Sequence, residues 1–301
     1  MRRILAAAAL TAALAGLLPA APVPAAGSAT PLVVTPAWLA ERLNDPSLVV
    51  LQVAAVRDDY ARGHIPGARF VWLNWLAESS PERSFEMPPV KALEDRLEQL
   101  GVSNGSQVVI CHTLGDPTAA ARVYLTLDYL GMGERAVILD GGLEAWKREG
   151  RTLTQEVPKH KRGKFTPKLR PEVLASLDAI QAERGNAGVR LVDARSAQAF
   201  NAPEGVTVVR GGHLPGAVNV PLASVTDSLG QYQPADSLRA RFEKAGVKPG
   251  DRVITYCGIG RTACPVYVAA KSLGYDVRLY DGSFEEWSRR DDVPVEKAEK
   301  K

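Results

Sequence analysis

Gly63-His64-Ile65-Pro66-Gly67-Ala68 returns later in the chain as Gly212-His213-Leu214-Pro215-Gly216-Ala217, one aliphatic exchange apart. Pro-Gly marks a turn in each, and working outward from the two copies uncovers more pairs. Leu100-Gly101-Val102 followed by Val108-Val109-Ile110-Cys111-His112 matches Ala245-Gly246-Val247 followed by Val253-Ile254-Thr255-Tyr256-Cys257. Leu139-Asp140-Gly141-Gly142 leading to Trp146 matches Tyr280-Asp281-Gly282-Ser283 leading to Trp287. Three blocks in one order, offset by about 145 positions, read as a duplicated domain and not as a solenoid. Between the copies, residues 151–170 carry Lys159, Lys161, Arg162 and Lys164 and read as a solvated linker. The copies then occupy 27–150 and 171–301.

Within each copy, short apolar runs alternate with helical patterns. Residues 48–53, 108–111 and 137–139 read as strands in the first copy, and 190–193, 253–256 and 277–279 in the second. Residues 92–100, 118–130, 237–245 and 262–273 read as helices. This alternation predicts an α/β class with two domains, each a mainly parallel sheet flanked by helices. Sites on such sheets form where strands end and helices begin.

Composition narrows the function. The chain has 301 residues, 46% of them hydrophobic and 24% charged, which excludes a disordered chain and a multi-pass membrane protein. Lys and Arg number 37 against 34 acids, a net charge of +3, which excludes a strongly basic nucleic-acid binder. Met1-Arg2-Arg3, an apolar run to Leu18 and a small-residue region to Ala26 have the order of a secretory signal peptide over residues 1–26. Its removal takes Arg2 and Arg3 and lowers the charge from +3 to +1. The reading predicts an exported, periplasmic protein without stable membrane insertion after cleavage. Cys111, Cys257 and Cys264 lack zinc-site spacing, and no nucleotide fingerprint is present. No metal and no cofactor are expected.

Tyr256-Cys257-Gly258-Ile259-Gly260-Arg261-Thr262 sits at a strand-to-helix junction. Gly258 and Gly260 let the backbone curl with its N–H groups inward, and the following helix adds its positive end. Both favour a thiolate at Cys257. Arg261 adds positive charge for an anionic substrate. A cysteine so framed reads as a nucleophile; a lone cysteine beside a turn would read as structural. Cys264, seven residues on, reads as a small buried helix residue, with a disulfide to Cys257 as the alternative in an oxidising compartment.

The paired Gly-His-(Ile/Leu)-Pro-Gly-Ala blocks, Val192-Asp193-Ala194-Arg195, the cysteine loop and Asp281-Gly282-Ser283-Phe284-Glu285-Glu286-Trp287 together resemble the tandem rhodanese family of thiosulfate and 3-mercaptopyruvate sulfurtransferases. The resemblance covers nearly all of the chain after residue 26. It implies two rhodanese domains, the N-terminal one non-catalytic, with the site in the cleft between them. It also implies that the cysteine takes a sulfane sulfur from a small anionic donor, holds it as a persulfide and passes it on. The acceptor would be cyanide, a small thiol or a dithiol protein.

Comparing the copies supports an inactive first half. His112 stands where Cys257 stands, Val53-Ala54-Ala55 replaces Asp193-Ala194-Arg195, and the first loop is two residues longer before the shared Val-Tyr. Cys111 is one position off, which turns its side chain to the opposite face of a strand. Cys257 is therefore expected to attack the donor sulfur, and the amides of Gly258, Ile259, Gly260, Arg261 and Thr262 to hold the persulfide anion. Arg261 and Arg195 are expected to bind the donor's anionic group, Arg195 by resemblance to the family's Asp-x-Arg arginine; Arg210 is a weaker candidate. His64 and His213 read as loop-fixing residues, and Trp146 and Trp287 as core.

The donor is read from the loop. Mercaptopyruvate enzymes resemble Cys-Gly-Ser-Gly-Val-Thr, mammalian thiosulfate enzymes Cys-Arg-Lys-Gly-Val-Thr, and some bacterial thiosulfate enzymes Cys-Arg-Ile-Gly-Glu-Arg-Ser. Gly258 fits the first, whereas Ile259-Gly260 and a loop arginine fit the last. Residues 80–88 lack the family's substrate-facing histidine, which argues against help from the first domain. Thiosulfate is the preferred donor, with mercaptopyruvate or a non-turnover persulfide carrier as alternatives. A cysteine phosphatase is disfavoured because Ala263 stands where its anion-gripping arginine belongs.

Overall fold

Each half of the computed structural model builds one five-stranded sheet, and every strand pair in both is parallel. The structure describes residues 30–81, 83–202 and 210–297; the expected leader over residues 1–26 lies outside them. The first sheet contains β1 (Val33–Val34), β2 (Leu48–Ala54), β3 (Arg69–Trp72), β4 (Gln107–His112) and β5 (Ala136–Leu139), in the order β1-β5-β4-β2-β3. The second contains β6 (Leu174–Ala175), β7 (Val189–Asp193), β8 (Val218–Asn219), β9 (Arg252–Tyr256) and β10 (Asp276–Tyr280), in the order β6-β10-β9-β7-β8. The two orders are the same permutation, so the duplication read from the sequence is a duplication of topology. The six strands expected from sequence are the interior ones, whose continuous apolar runs are buried on both faces.

The halves meet through two helices, Pro117–Tyr129 and Ala263–Ser272. Asp116 caps the first helix by accepting the Thr118 N–H, and Pro117 supplies a first residue that needs no donor. Both helices are buried almost all round, as their lack of a polar face requires. Val123, Tyr124 and Leu127 share one core with Val266, Tyr267 and Ala270. Below them Asp128, fully buried, takes Arg170 (2.6 Å), the Tyr267 hydroxyl (2.5 Å) and Lys271 (2.6 Å), so three donors compensate one buried carboxylate.

The outer faces carry two smaller cores, one around Trp146 and one around Trp287. Each indole donates to a carbonyl a few residues on, Thr152 at 2.9 Å and Pro294 at 2.8 Å. Cys111 lies in the first of these cores, on the face away from the interface, and burial pushes its thiol up. His64 and His213 fix loops: each stacks on an aromatic ring, Tyr60 or Phe200, and each backbone bridges antiparallel to a later segment, at Thr154 or Glu296.

Residues 151–170 are exposed over much of their length, and they are also strapped to the first half. Arg162 pairs with Asp95 and Glu98, Phe165 is buried, and a Cβ on Gly163 would lie 1.9 Å from the Val102 carbonyl oxygen. Arg210, the weaker candidate for the donor's anion, is engaged within the second half. It donates to the carbonyls of Trp287, Ser288, Arg290 and Val293, closing the end of the helix Ser283–Ser288.

Candidate active site

Cys257 follows the last residue of β9, the central strand of the second sheet, and is only 1% exposed. Its backbone is clamped on both sides: its N–H donates to Ser283 Oγ (3.2 Å) and its carbonyl accepts from Phe284 N–H (2.9 Å). The Gly258 carbonyl accepts from Glu285 N–H at 2.8 Å. Among the described residues, no acceptor takes the amides of Gly258, Ile259, Gly260, Arg261 or Thr262. That leaves a row of free donors beside the thiol, the arrangement that holds an anion. Gly260 has φ +75°, and a Cβ there would meet Asp281 O at 2.7 Å and Oδ1 at 2.8 Å. The loop therefore needs glycine at that position for both its turn and its close approach.

Among the described residues, three that are not glycine take left-handed backbone angles: Phe85 (φ 63°), Leu114 (φ 55°) and Ser283 (φ 52°). Each costs roughly 1–2 kcal/mol. Ser283 shows what the strain secures, because its hydroxyl both receives the Cys257 N–H and donates to Tyr280 O at 2.8 Å.

Arg195 lies in electrostatic reach of Cys257. Asp193 binds its Nε at 3.0 Å and its Nη2 at 2.6 Å, and Phe284 stacks beneath its guanidinium at 4.1 Å. Burial alone would lower its affinity for the proton; the Asp193 bond and charge outweigh burial and raise it. Arg261 is also occupied, with Nη2 2.5 Å from Asp116 Oδ2 and Nε 2.9 Å from Thr118 Oγ1. Arg195 and Thr262 line a cleft of about 730 Å³ together with Gly115, Asp116 and Pro117 of the first half and Pro221, Asp227 and Ser228 of the second.

The first half contributes more than its missing histidine suggested. Residues 83–87 cross to the second half, where Ser84 binds Glu285 through its N–H (2.8 Å) and hydroxyl (3.1 Å), Met87 N–H reaches Asp281 (3.2 Å), and Arg83 pairs with Glu286 (2.6 Å). The second half answers pseudo-symmetrically, with Tyr232 N–H on Asp140 (2.9 Å) and Arg148 on Gln231 (3.0 Å). Arg122, fully buried, donates to both oxygens of Asp281, the residue against which Gly260 rests. Sequence reasoning missed Arg122, Asp116, Thr118 and Ser283. The longer first-half loop was the one available signal.

Cys264 is a free, buried thiol that donates to Gly260 O at 3.1 Å, and burial pushes it up to about 12. His112, at the position equivalent to Cys257, is 1% exposed and packed between Gly142 and Gly230, with neither ring nitrogen hydrogen-bonded. Burial lowers its pKa from 6.5 to about 4. The unfolded chain then binds a proton that the fold refuses, so stability is lost as pH falls from 6.5 towards 4, by about 3 kcal/mol in all. Denaturant unfolding of His112→Leu should lack this component of the acid slope; an unchanged slope would count against it.

Two parallel sheets of one topology, with a glycine-rich cysteine loop at the end of the second and a longer histidine-bearing loop at the matching place in the first, define a tandem rhodanese-like architecture. The chain belongs to the rhodanese-like domain family, whose match covers residues 35–149 and again 176–290. It is 35% identical to a thiosulfate sulfurtransferase of Azotobacter vinelandii over 88% of this chain and 97% of that one. It is 32% identical to a 3-mercaptopyruvate sulfurtransferase of Escherichia coli over 86% and 95% of the two chains. The crystal structure of SseA from Escherichia coli, a 3-mercaptopyruvate sulfotransferase, superposes with a TM-score of 0.75 at 30% identity, covering 84% of this chain and 99% of that one. The chain is an enzyme of the rhodanese type.

Proposed function

We propose that the protein moves a sulfane sulfur from thiosulfate to a thiophilic acceptor through a persulfide on Cys257. The observation that carries this reading is the row of unpaired amides from Gly258 to Thr262 beside a thiol at the end of the central strand. The Cys257 thiolate attacks the outer sulfur of thiosulfate; a new S–S bond forms, the bond to the sulfonate sulfur breaks, and sulfite leaves with the electron pair. The acceptor then attacks the outer sulfur of the persulfide, and the Cys257 thiolate leaves in turn. The free amides stabilise the persulfide anion between the two steps. Arg195 and Arg261 supply positive charge for the sulfonate end. The acceptor is cyanide, a small thiol or a dithiol protein, and the work is done in an exported compartment after loss of residues 1–26.

Intact mass of the mature protein after incubation with thiosulfate tests this. The expected result is a gain of one sulfur atom, lost again on adding cyanide. No gain with thiosulfate but a gain with mercaptopyruvate would transfer the assignment to that donor, which Gly258 favours. Loading without turnover to any small acceptor would make the protein a carrier.

A further inference from the structure

The first-half loop runs eleven positions from His112 to Val123 where its counterpart runs nine from Cys257 to Val266. Its extra length carries Gly115 and Asp116 against the second half: a Cβ on Gly115 would lie 3.5 Å from the Ser228 carbonyl, and Asp116 pairs with Arg261. We propose that Asp116 is a specificity-determining residue, an internal carboxylate on the site of Arg261 that the donor's anionic end takes, which handicaps doubly charged donors relative to singly charged ones. This rests on the sulfur-transfer reading above.

The two oxygens of Asp116 do separate work. Oδ1 accepts from the N–H (3.0 Å) and the hydroxyl of Thr118 and so caps the helix. Oδ2 is left for Arg261 at 2.5 Å. The same guanidinium donates to Thr118 Oγ1 and lies over the Phe85 ring at 5.7 Å, so the first half alone holds it. The pair is 40% and 37% exposed, which makes it weak and open to exchange with a solute. An anion with two or three oxygens can accept from a guanidinium through two bonds and replace a single carboxylate oxygen. The charge balance of the cleft sets the cost of that exchange. Arg195 is matched by Asp193, while Asp116 and Asp227 both line the cleft. A dianion feels every charge of the cleft, carboxylate or guanidinium, twice as strongly as a monoanion does, so the Asp116 charge, taken by itself, costs a dianion twice what it costs a monoanion.

The test uses Asp116→Asn and Asp116→Ser, both of which keep an oxygen for the helix cap. Sulfate serves as a non-reacting dianion and acetate as a monoanion, titrated calorimetrically into the full mature chain at fixed low ionic strength. Both variants should bind sulfate about tenfold more tightly than wild type and acetate at most about threefold more tightly. In turnover, the ratio of kcat/KM for thiosulfate over mercaptopyruvate should rise about fivefold. Unchanged sulfate affinity in two folded variants would overturn the proposal. Wild type that gains no sulfur from either donor would instead refute the sulfur-transfer reading, and the sulfate titration would still decide the role of Asp116.

Discussion

Cys257→Ser protein should take up no sulfur from any donor, and sulfur transfer should fall by at least about four orders of magnitude. A serine oxygen cannot form the S–S bond on which both steps depend, and the rest of the site would be left in place. The hydrogen bonds that clamp position 257 are made by its backbone, to Ser283 and Phe284, so the exchange removes the sulfur and little else. Cys111→Ala is the matched control. Cys111 is buried in the outer core of the first half, so its loss should lower stability while the protein still gains one sulfur per chain. A sulfur gained by the Cys257→Ser protein would overturn the assignment, and a gain lost in Cys111→Ala would redirect it to the wrong half.

Arg122→Met should destabilise the protein by about 3–5 kcal/mol, on the order of 10 °C in Tm. The Arg122 side chain is fully buried and gives both of its terminal nitrogens to Asp281. Without it, Asp281 keeps its charge and the Met87 N–H but loses its counter-ion. The double variant Arg122→Met/Asp281→Leu separates stability from function. Replacing both charges by apolar groups should recover most of the Tm, because a buried pair adds little over a well-packed apolar one. Sulfur transfer should stay low, because Asp281 braces Gly260 from behind and an apolar branch there disturbs the loop. Thermal unfolding and thiosulfate turnover on the same samples check both halves of the argument. A double variant as unstable as the single one would mean that the Arg122 stem, not its charge, carries the effect.

Much was legible in the sequence because it depends on local pattern. The duplication, the α/β class and the interior strands follow from repeated turn motifs and apolar runs that report their own burial. The strand-to-helix position of Cys257, the opposite-face position of Cys111 and the loop-fixing setting of His64 and His213 follow from spacing alone. What the tertiary structure alone decided is which charges meet. Arg261 reads as a free cation until Asp116, some 145 positions away, is seen beside it. Arg122 reads as one more residue of a helix until Asp281 lies against it. Residues 84–87 read as part of a segment that lacks the family's histidine, yet they reach across to hold Asp281 and Glu285. Apolar periodicity is a property of neighbours along the chain, so one copy suffices to read it. An ion pair between halves depends on how two finished domains pack, and neither sequence carries a record of its partner's surface.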